Sequence, residues 1–230
     1  MTVFLAWVSI ADLNKMPEKE RKELEQATEK KNRLTFTDQM RVRFRGVLDP
    51  FGAFFNRIGL MPNTMTILGL LGNTIGAVLL SQGIMTSGGL IILAMGPIDA
   101  LDGTMARLRG EPSEFGAFVD SVTDRYSELV IFGGLLIYYV QHGNWVAVLV
   151  TYLAASGSVL VSYVRARASS LGYDTKVGIL TRMERYLVLA PTLVFNIPLV
   201  GLWIIAILAN ITALQRIWDI RRKTHGTDRG

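Results

Sequence analysis

The chain contains no cysteine, which excludes a disulfide framework and a thiolate metal centre and leaves its redox compartment unread. Charge is also scarce. Asp, Glu, Lys and Arg make up 19% of the 230 residues, against 50% hydrophobic residues. With a mean hydropathy of +0.33, this balance is too apolar for an ordinary soluble domain and fits a polytopic membrane protein. The formal net charge of +5 raises nucleic acid as a partner, but the chain has no RNA- or DNA-binding motif. Its basic residues instead cluster at the ends of apolar runs, where positive charge sets membrane orientation. The opening Met1–Ile10 is apolar but too short to span a bilayer, and it lacks the basic start and small-residue cleavage site of a signal peptide.

Residues 1–35 read as a charged arm, in which Asp12 to Arg33 is dense in Lys, Arg and Glu at helical spacing, as in Glu18 with Lys22. Residues 36–59 follow a different rule. Phe44, Val47, Leu48, Phe51, Phe54 and Phe55 recur with helical period among Arg41, Arg43, Arg45 and Arg57. That pattern predicts a juxtamembrane amphipathic helix on an anionic leaflet. Six apolar spans follow within residues 60–218, at about 63–82, 88–108, 114–141, 145–171, 183–197 and 198–216. The connections 82–87, 141–144 and 196–201 contain no Lys or Arg. The opposite side carries Arg107, Arg109, Arg165, Arg167, Lys176, Arg182, Arg185 and the basic tail 219–230. This asymmetry predicts an all-α integral membrane protein with six transmembrane helices and both termini in the cytoplasm.

Within this apolar background stand four aspartates. Asp99 and Asp102 are three residues apart and Asp120 and Asp124 are four apart, so each pair shares one helical face. The polar turn 108–113 would let the two helices run antiparallel and bring the pairs together near the cytoplasmic surface. Carboxylates in membrane helices are costly and mark functional sites. Four of them repel one another, and one or two divalent cations held by oxygen ligands are the simplest relief, with Mg²⁺ favoured and Mn²⁺ also suitable. A pyrophosphate-linked lipid would bring its head group to this depth, where two cations could neutralise it and stabilise charge as a phosphate-ester bond breaks.

The stretch Asp99-x2-Asp102-Gly103-x2-Ala106-Arg107-x8-Gly116-x3-Asp120-x3-Asp124 resembles the signature of the CDP-alcohol phosphotransferase family at every fixed position. The resemblance implies a phosphatidyltransferase that attacks the lipid-bearing phosphate of CDP-diacylglycerol with an alcohol and releases CMP. It implies that Asp99, Asp102 and Asp120 ligate metal, while Asp124 ligates metal and takes the acceptor's proton as general base. It also implies donor contacts at Pro62, Asn63, Thr64, Met65, Thr66, Gly103, Ala106, Arg107 and Ser113. For Asn63 and Ser113, helix capping is an equally good reading. A homodimer is expected on the same ground. Residues 1–35 have no counterpart in the family pattern and read as an appended arm.

The acceptor is read from two further stretches. Val119 to Arg125 and the segments around Tyr163 and Arg182 resemble the inositol-phosphate branch of the family. An acceptor that carries a phosphate dianion needs arginines. Arg182 and Arg185 share a face three residues apart, with Arg165 and Lys176 available beside them. Inositol 1-phosphate is therefore the expected acceptor, and glycerol 3-phosphate is the alternative. An ion carrier or channel is the reading from another class. It is disfavoured because the acids lie near one face and no inverted repeat or broken helix pair is present.

Overall fold

A computed structural model describes residues 36–110, 113–175 and 177–227. The chain divides into two units, Met1–Val42 and Arg43–Gly230. Of the first, the described residues are only the opening turns of a helix, and residues 1–35 lie outside the described part. So do Lys176 and the side chains of Arg41, Arg43, Phe44, Arg45 and Val47.

The described residues are entirely helical between turns: α1 (Phe36–Arg57), α2 (Pro62–Ser81), α3 (Met85–Arg109), α4 (Glu114–Gln141), α5 (Trp145–Ser170), α6 (Arg182–Val194) and α7 (Pro198–Thr227). Local chemistry sets the boundaries. Pro62 opens α2, where its fixed φ is helical and its missing N–H costs nothing. Ser113 and Asn144 cap α4 and α5, accepting from the N–H groups of Gly116 and Ala147. Thr181 and Glu184 bond side chain to side chain across the first turn of α6.

Helices α2, α3, α5 and α7 are long and apolar enough to cross a membrane. α4 carries Glu114, Asp120, Asp124, Arg125 and Glu128, and α6 has 13 residues, or roughly 20 Å at 1.5 Å per residue. By length and composition alone, then, four of the six expected spans qualify. The outward faces are apolar. Ile67, Leu71, Ile75, Leu149, Tyr152 and Ile207 are all exposed, as suits helices solvated by lipid chains. Inside, Leu80, Ile92, Phe132, Leu135, Leu193 and Ile205 form one continuous core.

α2 packs against both α3 and α4; α6 packs against α3 and α7, and α5 against α4 and α7. Small residues permit these approaches. A Cβ at Gly134 of α4 would lie 2.3 Å from the Ala77 carbonyl oxygen of α2, so any larger residue would force the helices apart.

α1 does not lie wholly on a surface. Leu48 and Phe55 pack on Met65, Leu101 and Met105, while Phe51 and Phe54 stay exposed. Asn56 donates to the Met105 carbonyl and accepts from Arg109 Nε at 2.8 Å. Arg109 also donates to the Leu60 carbonyl.

Just ahead of the first aspartate, Pro97 interrupts α3. Proline has no N–H for the carbonyl four residues back, that of Leu93. The Tyr186 hydroxyl of α6 replaces it, donating to Leu93 O at 2.6 Å. Gly96 makes room, since a Cβ there would sit 2.3 Å from that hydroxyl oxygen. Tyr186→Phe should leave the carbonyl unsatisfied and cost about 1–3 kcal/mol. Thermal unfolding in detergent measures this, and an unchanged midpoint would refute it.

Candidate active site

Asp99 and Asp102 stand near the end of α3, and Asp120 and Asp124 near the start of α4. α3 ends at Gly110, whose φ of 69° is left-handed and favours glycine. Ser113 then restarts the chain, its Oγ accepting from Gly116 N–H at 2.9 Å. The simple antiparallel pairing expected of α3 and α4 is not what brings the acids together, because each packs more closely on α2 than on the other. The acids converge with help from α2 and α6.

From α2, the buried Thr66 hydroxyl donates to Asp102 Oδ2 at 2.6 Å. Gly69 of α2 faces Asp99, whose Oδ1 would be 3.0 Å from a Cβ at that position. From α6, Arg182 bonds Asp99 Oδ2 through Nη2 and Asp124 Oδ2 through Nη1, the latter at 2.6 Å. Asp102 lies within electrostatic reach of Asp99 and Asp120, and Asp124 within reach of the same two. The four expected carboxylates therefore form one cluster.

The donor set fits hard divalent cations. Asp99 Oδ1 and Asp124 Oδ1 are buried and have no hydrogen-bond partner, an arrangement that costs free energy unless something positive completes it. The oxygens are all carboxylate, as Mg²⁺ and Mn²⁺ prefer. Among the described residues, no three acidic or imidazole groups are already drawn into a metal-sized cage. The guanidinium of Arg182 joins two of the acids instead.

The other arginines near the cluster have their own bonds. Arg107 pairs with Asp49 of α1 at 2.8 Å, both partly exposed. Arg109 is tied to Asn56 and Leu60, and Arg125 donates to the Ser121 carbonyl within α4. Arg185, expected with Arg182 to meet the acceptor phosphate, is only 1% exposed and grips Glu128 with both Nε (2.6 Å) and Nη2 (2.9 Å). Glu128 is one turn beyond Asp124, so α4 and α6 meet in two rungs, Asp124 with Arg182 and Glu128 with Arg185. Sequence reasoning passed over Glu128. Its signal was a further carboxylate on the face already marked by Asp120 and Asp124. Arg165 is exposed near the end of α5.

The expected donor contacts are placed unevenly. Gly103 is exposed, with no atom within 4 Å of a Cβ placed on it, so a ligand could approach the backbone there. Pro62, Thr64 and Ala106 are half-buried and Asn63 is exposed. Asn63 Oδ1 lies beside Gly116, 3.8 Å from a Cβ built there, which puts the starts of α2 and α4 at the same edge of the site. Ser113 serves as the cap of α4. Met65 is buried against Leu101 and Met105, so its side chain packs the core.

Comparison with known proteins agrees with this architecture. Residues 59–216 match the model of the CDP-alcohol phosphatidyltransferase family. A phosphatidylinositol phosphate synthase of Streptomyces avermitilis is 36% identical, over 82% of this chain and 83% of its own. An archaetidylinositol phosphate synthase of Pyrococcus horikoshii is 35% identical, over 80% of this chain and 96% of its own. The crystal structure of Mycobacterium tuberculosis phosphatidylinositol phosphate synthase with CDP-DAG bound superposes with a TM-score of 0.69 at 30% identity, over 74% of this chain and 92% of that one. The same mycobacterial protein in complex with manganese and citrate gives a TM-score of 0.70 at 31% identity, over 74% of this chain and 87% of that one. By sequence and by helical fold alike, the chain belongs to the CDP-alcohol phosphatidyltransferase family and is an enzyme of that class.

Proposed function

We propose that this enzyme transfers the phosphatidyl group of CDP-diacylglycerol to a hydroxyl of inositol 1-phosphate, releasing CMP and forming phosphatidylinositol phosphate. The observation that carries this reading is the convergence of Asp99, Asp102, Asp120 and Asp124, with two buried carboxylate oxygens left without hydrogen bonds. These four residues would hold two divalent cations, Mg²⁺ or Mn²⁺. Bound there, the metals would neutralise the pyrophosphate and stabilise charge on the phosphate under attack.

The protein's own groups do the rest. Asp124 takes the proton of the acceptor hydroxyl as it attacks. Thr66 holds Asp102 in orientation through its 2.6 Å hydrogen bond. The open backbone at Gly103 admits the nucleotide. Pro62, Asn63, Thr64, Ala106, Arg107 and Ser113 line the donor's approach, with Met65 supporting them from the core. Arg182 and Arg165, with Lys176, receive the acceptor phosphate through charge-assisted bonds. Arg185 supports Arg182 from the next rung and is itself committed to Glu128.

Support for the acceptor also comes from the relatives. Their names share an inositol phosphate head group and differ in the lipid attached to it, and the mycobacterial phosphatidylinositol phosphate synthase was crystallised with CDP-DAG and with manganese and citrate. We place α4 and α6 as the fifth and sixth membrane spans. The site faces the cytoplasm, because the arginine-bearing connections lie at its end of the bundle. α1 is the juxtamembrane helix, residues 60–218 are the catalytic domain, and the working form is a homodimer.

The test is CMP release by purified protein in detergent with CDP-diacylglycerol and Mg²⁺. Inositol 1-phosphate, glycerol 3-phosphate, inositol and serine are offered in parallel. Release with inositol 1-phosphate alone is expected. Release with glycerol 3-phosphate instead would keep the aspartate chemistry and overturn the acceptor.

A further inference from the structure

Arg182 is the first residue of α6, and a single guanidinium there ties α3 to α4 by bonding one oxygen each of Asp99 and Asp124. These are two of the carboxylates that the proposed function assigns to metal, and the inference below rests on that assignment. The arginine side chain is 46% exposed, whereas those of Asp99 and Asp124 are 10% and 15% exposed. The cation thus sits at the mouth and the acids below it, on a stem long enough to swing outward without moving the helix. Its base stays in place, because Arg185 and Glu128 pin α6 to α4 one turn further on.

We infer that Arg182 is an internal counter-ion that stands in for a divalent cation between Asp99 and Asp124. Metal entering the cluster displaces it, and the freed guanidinium passes to the phosphate of the acceptor. Charge balance favours this exchange. With all four carboxylates ionised, one arginine leaves a local excess of three negative charges; two divalent cations cancel the four carboxylates and leave the arginine's charge available for a phosphate dianion. One side chain cannot serve both partners at once, so metal and acceptor phosphate bind with positive coupling. Each ligand therefore tightens the binding of the other. Without metal, Arg182 also keeps the acids from driving α3 and α4 apart.

The test is Mn²⁺ binding to the full chain in detergent micelles, followed by the paramagnetic resonance signal of free Mn²⁺ and needing no turnover. Arg182→Gln removes the competing charge and is expected to bind Mn²⁺ about tenfold or more tightly than the parent, equivalent to about 1.4 kcal/mol. Its thermal midpoint should be lower without metal and should rise further on adding Mn²⁺. Arg182→Lys keeps the charge but cannot fork, and its affinity is expected between the two. It carries the same test should the glutamine variant not fold. Asp102→Asn is the control for the metal site itself. If it binds Mn²⁺ as well as the parent does, the metal assignment fails. If it binds less well while the Arg182 variants match the parent, the counter-ion role alone is overturned.

Discussion

Asp124→Asn is expected to lower CMP release by about 10³-fold or more while leaving the protein folded. General-base assistance is worth about 10²–10⁴ in rate. Asparagine forfeits it and also weakens the hold on metal, because a neutral amide is a poorer ligand than a carboxylate. The same change should not destabilise the bundle greatly. Asp124 crowds Asp99 and Asp120, and removing one like charge offsets the lost bond to Arg182. A large fall in activity with a thermal midpoint held within a few degrees is the signature of a catalytic group. Unchanged CMP release, measured with the acceptor that supports turnover in the parent, would sink the catalytic reading of the cluster.

Glu128→Ala is expected to do the reverse, acting first on stability. Arg185 is almost wholly enclosed and Glu128 answers it with both oxygens. Truncating the glutamate would leave a buried guanidinium with only the Leu180 carbonyl at 3.4 Å. Breaking a buried pair from one side costs about 3–5 kcal/mol, which for a chain of this length corresponds to a fall in thermal midpoint of roughly 10 °C. The double substitution Glu128→Leu with Arg185→Met removes both charges together. It should recover most of that loss, because the pair's attraction largely offsets its own desolvation. If the single variant unfolds at the parent temperature, the pair is not a strut between α4 and α6. If the double variant is as unstable as the single, shape and not charge is what the pair supplies.

Much of this enzyme was legible in its residues because the informative features are local. Helix ends follow from Pro62, Gly110, Ser113 and Asn144, each acting within a few residues of itself. The aspartate pairs announce themselves because a charge in an apolar helix is expensive, and spacings of three and four fix a shared face whatever packs beside it. The all-helical class follows from the long apolar runs. Which helices cross the membrane is less local. α4 carries too many charges, and α6 is too short, for length and composition to decide.

What the sequence alone determined is the all-helical, membrane-protein class, the approximate position of each helix and the face-sharing spacing of the four acids, all properties of contiguous residues and their periodicity. The last helix, by contrast, runs on to Thr227, well past the apolar run that ends near 216. The tertiary structure decided who meets whom. Arg182 and Arg185 look equivalent in the sequence, three apart on one face, yet one lies at the mouth holding Asp99 and Asp124 and the other is sealed against Glu128. Asp49 finds Arg107, Asn56 finds Arg109, and Tyr186 supplies the hydroxyl that Pro97 makes necessary, each across about fifty to ninety residues of chain. Depth and partner are set by how α2 and α6 pack against α3 and α4. That packing is a balance of many weak contacts among distant segments, which no short stretch of sequence contains.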